Sequence, residues 1–242
     1  MGKSQFLEHI PIQIASNRVF RTSSEHKFGA VPAMSQNQTG TVWDINDTLY
    51  PWSSFDTAGV LTIPAVDAND DGHVITIIGL ANDYSPLSEH VTVSSSGTTT
   101  TTNSFKRVIR AFCSAGGVTN EGNIDIQKGG TIVARITAGL AQTLMSIYTV
   151  PKGKTAFIMK ISATCQLNAD ANGKMFIRYL NQDTFRINHT FELSGAGGQY
   201  NYDFVTPLLV PQKSDIDFRM ITRTNNGRYT ATFEMILIDN PV

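Results

Sequence analysis

The carboxylates best spaced for chemistry are Asp215 and Asp217, in the run Asp215-Ile216-Asp217-Phe218-Arg219-Met220. Residues two apart in a β-strand point to the same face, so these carboxyls would stand side by side. Such a pair can do acid–base work on a glycosidic bond. Arg219 continues their face, while Ile216, Phe218 and Met220 fill the other, so a solvated charge row opposite the apolar face is expected. Asp67-Ala68-Asn69-Asp70-Asp71-Gly72 carries the first half of a calcium loop, with oxygens at alternate positions and a glycine for the turn. The twelfth position, where a bidentate Glu belongs, is Ile78. His73 to Leu80 alternates like a strand, so an Asx-rich hairpin loop bonding its own backbone is expected.

Other constellations are thinner. There is no G-x-S-x-G elbow, H-E-x-x-H or C-x-x-C. His9, His26, His73, His90 and His189 are scattered, without a second histidine at metal-ligand spacing. Gly195 to Gly198 lacks the Lys-Ser/Thr of a phosphate loop. Lys106, Arg107 and Arg110 form a small basic cluster, expected to guard an exposed strand edge. No catalytic residue, cofactor or metal is assigned, and the chain is expected not to be an enzyme. Trp43, Tyr50 and Trp52 lie close together and read either as a cap on a core or as contacts for a partner or glycan. Tyr200 and Tyr202 are further candidates for stacking on a sugar.

The elements that position these residues are strands. Period-two alternation recurs and helical periodicity is nearly absent. Tyr229, Ala231, Phe233, Met235 and Leu237 share one face, as do Phe157, Met159, Ile161, Ala163 and Cys165. Turns are expected at Lys128-Gly129-Gly130, Val150-Pro151-Lys152-Gly153-Lys154, Asn172-Gly173 and Asn226-Gly227. Ser94 to Thr102, rich in Thr, is expected to be a hairpin with β arms. The expected fold is all-β: two sandwich or jelly-roll-like modules, 59–149 and 150–242, behind an extended, polar N-terminal arm, 1–58.

Composition narrows function further. The 242 residues carry a net charge of −1 and only 16% charged residues, against roughly 25% in ordinary domains. With no basic excess to neutralise phosphates, no nucleic-acid partner is expected. No apolar run approaches the roughly 20 residues that span a bilayer, and the first residues lack the apolar stretch of a secretory leader. Cys113 and Cys165, the two cysteines, read as small buried thiols, as in a chain made in a reducing cytoplasm.

Four stretches carry a resemblance: Val42-Trp43-Asp44 to Tyr50-Pro51-Trp52; Val74 to Leu80 with Asn82 to Glu89; Thr100 to Arg107; and Ala138 to Thr155. Together they resemble a group of virion structural proteins of marine and freshwater tailed bacteriophages. The resemblance implies a structural role, as head decoration, head fibre or knob, or as part of the tail or baseplate. It also implies residence in the virion after synthesis in the host cytoplasm, with major capsid or tail proteins as partners. Homo-oligomerisation, as a trimer, is expected for such an appendage, with the arm ordering against a neighbour. A carbohydrate-binding adhesin and, further off, a polysaccharide-degrading enzyme are the alternatives.

Overall fold

The computed structural model describes residues 10–117, 119–166, 168–195 and 197–241. It is 53% strand and 6% helix. Ordinary domains are about one-third helix, so the all-β expectation holds. A short helix, α1, covers Ile10–Ala15. The strands that follow are β1 (Thr22–Met34), β2 (Thr39–Thr41), β3 (Thr62–Ile63), β4 (Val74–Leu80), β5 (Pro86–Thr92), β6 (Thr99–Thr100), β7 (Arg107–Ala115) and β8 (Ile124–Lys128). The chain continues through β9 (Thr131–Ile136), β10 (Ile147–Thr149), β11 (Lys154–Cys165), β12 (Ala171–Arg178), β13 (Arg186–Leu193), β14 (Gln199–Val210), β15 (Asp215–Thr222) and β16 (Gly227–Asp239). No helix among the described residues is long and apolar enough to cross a membrane.

Four antiparallel sheets enclose two cores. Sheets β6-β3-β8-β9 and β5-β4-β7 cover Leu61, Ile63, Ile75, Ile77, Phe105, Ile124 and Ile126. Sheets β1-β16-β11-β14 and β10-β15-β12-β13, the latter extended by β2 beside β15, cover Ile158, Ile161, Met175, Ile177, Phe218 and Phe233. These are two β-sandwiches. Jelly-roll topology, eight strands in two Greek keys, is not confirmed: the first sandwich pairs a four- with a three-stranded sheet, the second a four- with a five-stranded one.

Local sequence explains much of this. In β16, Tyr229, Ala231, Phe233, Met235 and Leu237 are buried and alternate with outward residues, polar except for Ile236 and Ile238, as the period-two pattern requires. β11 departs from its pattern. A register shift between Ile158 and Lys160 inverts the phase, so Ala156 and Ile158 join Ile161 and Ala163 in the core, in place of Phe157 and Met159. Gly129 and Gly130, both at positive φ, close the β8–β9 hairpin as expected. Asn172-Gly173 is no turn but part of β12. The ring of Phe191 packs so closely on Gly173 that a Cβ there would lie 2.2 Å from it. Asn226, at φ 56°, does turn the chain, but between sheets, since β15 and β16 do not pair. Ser94 to Thr102 likewise crosses between sheets, because β6 pairs with β3 and not with β5.

The N-terminal segment is the main correction. Residues 1–9 lie outside the described residues, and 10–58 do not form an extended arm. β1 pairs along its length with β16, from Thr22↔Ile238 to Met34↔Gly227. β2 pairs with β15. β10, placed by sequence at the end of the first module, also pairs with β15. The second sandwich is therefore assembled from both sides of the chain, and the first is inserted into it. Gly29 permits the join: a Cβ there would fall 2.3 Å from both Ser146 N and Val42 O. Lys27, fully buried on β1, donates to the Ile109 carbonyl of β7 at 2.7 Å.

Candidate functional site

Both faces of β15 are covered, so Asp215 and Asp217 do not form a solvated row; each is at most 2% exposed. Asp215 receives a bidentate pair from Arg107 on β7, Nε to Oδ1 at 2.9 Å and Nη2 to Oδ2 at 3.0 Å. Arg178 on β12 donates to Oδ2 at 3.0 and 2.6 Å, and the Thr149 hydroxyl to Oδ1 at 2.5 Å. Asp217 accepts from Trp52 Nε1, Arg219 Nε and the Thr41 hydroxyl, each at 2.9 Å. Burial raises its pKa, opposed by Arg219, Trp52 and Thr41. Every oxygen of the pair is thus engaged with protein, and neither carboxylate is presented to a substrate.

The network joins the sandwiches. Arg107 comes from the first, the two aspartates from the second, and Trp52 from the 3₁₀ turn Trp52–Phe55 between them. The Trp52 ring has Arg107 and Arg178 within 5.5 and 5.6 Å of its centroid. Trp43, Tyr50 and Trp52 are 1%, 3% and 6% exposed and pack edge-on in sequence, Trp43 on Tyr50 at 5.2 Å and Tyr50 on Trp52 at 4.7 Å. They cap the first core. Their reading as partner or glycan contacts is corrected by that burial: no ring face of theirs is open to stack on a sugar. The basic cluster is also not an edge guard. Arg107 is buried, Lys106 donates to the Asp56 carbonyl at 2.6 Å, and Arg110 donates to the His26 carbonyl at 2.9 Å.

The calcium-like segment turns inward. Asp67 accepts from Asn69 N at 2.9 Å, capping a 3₁₀ turn. Buried Asp70 accepts from the backbone N–H groups of Glu121 and Gly122 at 2.8 and 2.9 Å. Asp67 thus bonds its own loop as expected of an Asx turn, whereas Asp70 ties that loop to the distant Glu121–Gly122 backbone, and the segment joins β3 and β4 of different sheets, so it is no hairpin. Cys113 and Cys165 are free thiols, with Cys165 buried and Cys113 half-buried.

An open aromatic surface lies elsewhere. Strands β13 and β14 are edges of different sheets, and their rings close the gap between them. Phe191 stacks on Tyr200 at 4.5 Å, Tyr200 lies parallel to Tyr202 at 6.4 Å, and Tyr202 meets Phe204 edge-on at 4.9 Å. His189 sits 4.6 Å from Tyr202 and hydrogen-bonds the Tyr200 hydroxyl through Nε2 at 2.7 Å. Burial lowers the His189 pKa, which favours a neutral ring. The ladder runs from buried Phe191 out to Tyr202, 40% exposed, with fully exposed Val205 beyond it. Tyr200 and Tyr202 were legible as alternating aromatics. The partnership with His189 and Phe191 was not, because it crosses between sheets.

No protein-family model matches the chain, and no curated protein matches it at significance. Among solved structures, the empty top component of cowpea mosaic virus aligns at 7% identity, over 77% of this chain and 84% of that one, with a TM-score of 0.23. The VP2 subviral particle of infectious bursal disease virus aligns at 9% identity, over 90% and 71%, with a TM-score of 0.21. The Gt strain of infectious bursal disease virus aligns at 9% identity, over 92% and 78%, with a TM-score of 0.19. TM-scores this low do not establish a shared fold.

Proposed function

We propose that the chain is a non-catalytic structural protein of a bacteriophage particle, a capsid decoration, head fibre or knob. The observation that carries this reading is the fate of Asp215 and Asp217. The carboxylate pair that sequence offers for acid–base chemistry is consumed in joining two β-sandwiches. A protein that buries its best chemical groups to fix the relative position of two modules is built for rigidity. The resemblance to tailed-phage virion proteins supports the same role, and repeated copies in closed symmetry would suit it. Quantitative mass spectrometry of purified particles tests it. A copy number matching the capsid lattice is expected. A count matching a single ring would place the protein in the tail or baseplate, and absence from particles would overturn the reading.

The exposed aromatic ladder favours a second reading, a carbohydrate-binding adhesin. The Tyr202 ring, 40% exposed beside His189, offers a partly wet aromatic surface of the kind that stacks on sugar rings. Binding on a glycan array that disappears in Tyr202→Ala, with an unchanged unfolding midpoint, would support it. An array without hits, or hits that Tyr202→Ala leaves intact, would sink it.

A further inference from the structure

We infer that the cleft between the two sandwiches is a binding site for one compact oxyanion, phosphate or sulfate. The cleft, about 210 Å³, is lined by Tyr84, Lys106, Arg107, Arg178 and Lys213, among others. That is below the roughly 300–1,000 Å³ of sites for drug-sized ligands. It is therefore distinct in kind from the sugar-stacking surface on β14, and the inference does not depend on the virion reading.

The charges converge on one ring. Lys106 Nζ, Arg107 Cζ and Lys213 Nζ lie 5.8, 5.5 and 5.5 Å from the centroid of Tyr84. Three cations around one tyrosine repel one another at short range, and of the three, among the described residues, only Arg107 is ion-paired with a carboxylate. Asp215 is saturated by Arg107, Arg178 and Thr149. The other carboxylates lining the cleft, Asp56 and Asp183, are solvent-exposed. Among the described residues, Lys213 Nζ has no hydrogen-bond acceptor, and Arg178 commits Nε and Nη2 to Asp215 but not Nη1. Burial, and after it the charge of Arg107, holds both Lys106 and neighbouring Lys128 below the ordinary lysine range.

Backbone conformation points the same way. Tyr84 and Lys213 both have left-handed φ, 70° and 61°. That region is costly for side chains of this size and concentrates at binding sites. The turn holding Tyr84 is tied to the second sandwich by Lys152 N donating to Tyr84 O at 2.9 Å, and the turn holding Lys213 by its own N–H to Val150 O at 2.7 Å. The main chain at both residues is thus fixed before any ligand arrives. A tetrahedral oxyanion presents acceptors in several directions at once, which suits ammonium and guanidinium groups approaching from separate chain segments.

The test is isothermal titration calorimetry of the full chain at low ionic strength. Inorganic phosphate, sulfate and acetate are titrated in separate arms against ionic-strength-matched chloride. Saturable one-to-one binding of phosphate or sulfate is expected, weakened about tenfold or more in Lys213→Gln and retained in Lys213→Arg. Unchanged unfolding midpoints of both variants establish that the fold persists. Wild-type heats equal to the chloride control would overturn the inference, as would a Lys213→Gln variant that binds like wild type. Acetate binding as tightly as phosphate would overturn the assignment to a tetrahedral oxyanion.

Discussion

Replacing Asp215 with alanine isolates what the junction contributes. Arg107 would keep its place with a side chain only 5% exposed and lose both bonds to its carboxylate. Removing one partner of a buried pair costs about 3–5 kcal/mol, because the remaining charge is left without compensation in a poor solvent. Arg178, 18% exposed, can turn towards water, so its loss adds little. The Thr149 hydroxyl forfeits its acceptor, worth about 1 kcal/mol. The expected cost is about 4 kcal/mol, a large share of the 5–15 kcal/mol that ordinarily separates folded from unfolded states. Urea unfolding followed by tryptophan fluorescence measures it, since Trp52 is bonded to the neighbouring Asp217. A second variant separates lost charge balance from lost packing. Asp215→Leu combined with Arg107→Met replaces the pair by apolar groups and is expected to recover most of the loss, to within about 2 kcal/mol of wild type. An Asp215→Ala protein within about 1 kcal/mol of wild type would refute the argument, because that is the magnitude of a solvated surface pair.

Three further outcomes follow from groups elsewhere. Burial raises the Asp44 pKa to about 7, against the opposing bonds from Leu144 N and the Thr137 hydroxyl. The folded state therefore holds a proton that the unfolded chain releases near pH 4, and stability falls as pH rises from about 4 to about 7. Asp44→Asn is expected to flatten that slope, by on the order of 2–4 kcal/mol in the denaturant midpoint series. Lys27 behaves in the opposite sense: burial first, then Arg110, lowers its pKa to about 7. The unfolded chain binds a proton up to about pH 10 that the folded one has lost, so stability rises with pH from about 7 to 10, and Lys27→Met is expected to remove that rise in thermal melts. Gly29→Ala is expected to destabilise by about 3 kcal/mol or more by chemical denaturation, since its Cβ would meet backbone on two sides. Gly97→Ala, where a Cβ meets nothing within 4 Å, serves as the neutral control.

Sequence pattern revealed the strands that have one wet face. β16 keeps strict alternation, and its register could be read directly. β1 was missed because its buried positions include Lys27 and Gly29, which carry no apolar signal: one is a buried amine bonded to a carbonyl, the other a point of backbone contact. The burial of Asp215 and Asp217 was hidden for a related reason. Period-two reading assumes that the face opposite the core meets water, whereas β15 is covered on that side by Trp52, Arg107 and their neighbours. The Arg107–Asp215 ion pair connects residues more than a hundred positions apart, and spacing along a chain contains no trace of it. The aromatic lead-in could be read as a cap on a core. Which core it caps became legible only with the fold.

The pairing of β1 with β16 sets an order on the birth of the molecule. As the chain leaves the ribosome, Thr22–Met34 emerges among the first described segments, yet the strand it must join is the last of the described strands to be made. The inserted first sandwich, whose strands run from Thr62 to Ile136, has every sheet partner it needs well before then. It can complete its core while β1 waits with its backbone N–H and C=O groups unpaired. Closing the second sandwich then demands a contact spanning nearly the full chain, the kind of non-local pairing that slows folding and leaves a sticky edge exposed in the interval. Loss of Gly227–Asp239 would therefore remove the partner of a segment some two hundred positions earlier. What remained would be a finished module carrying an open one.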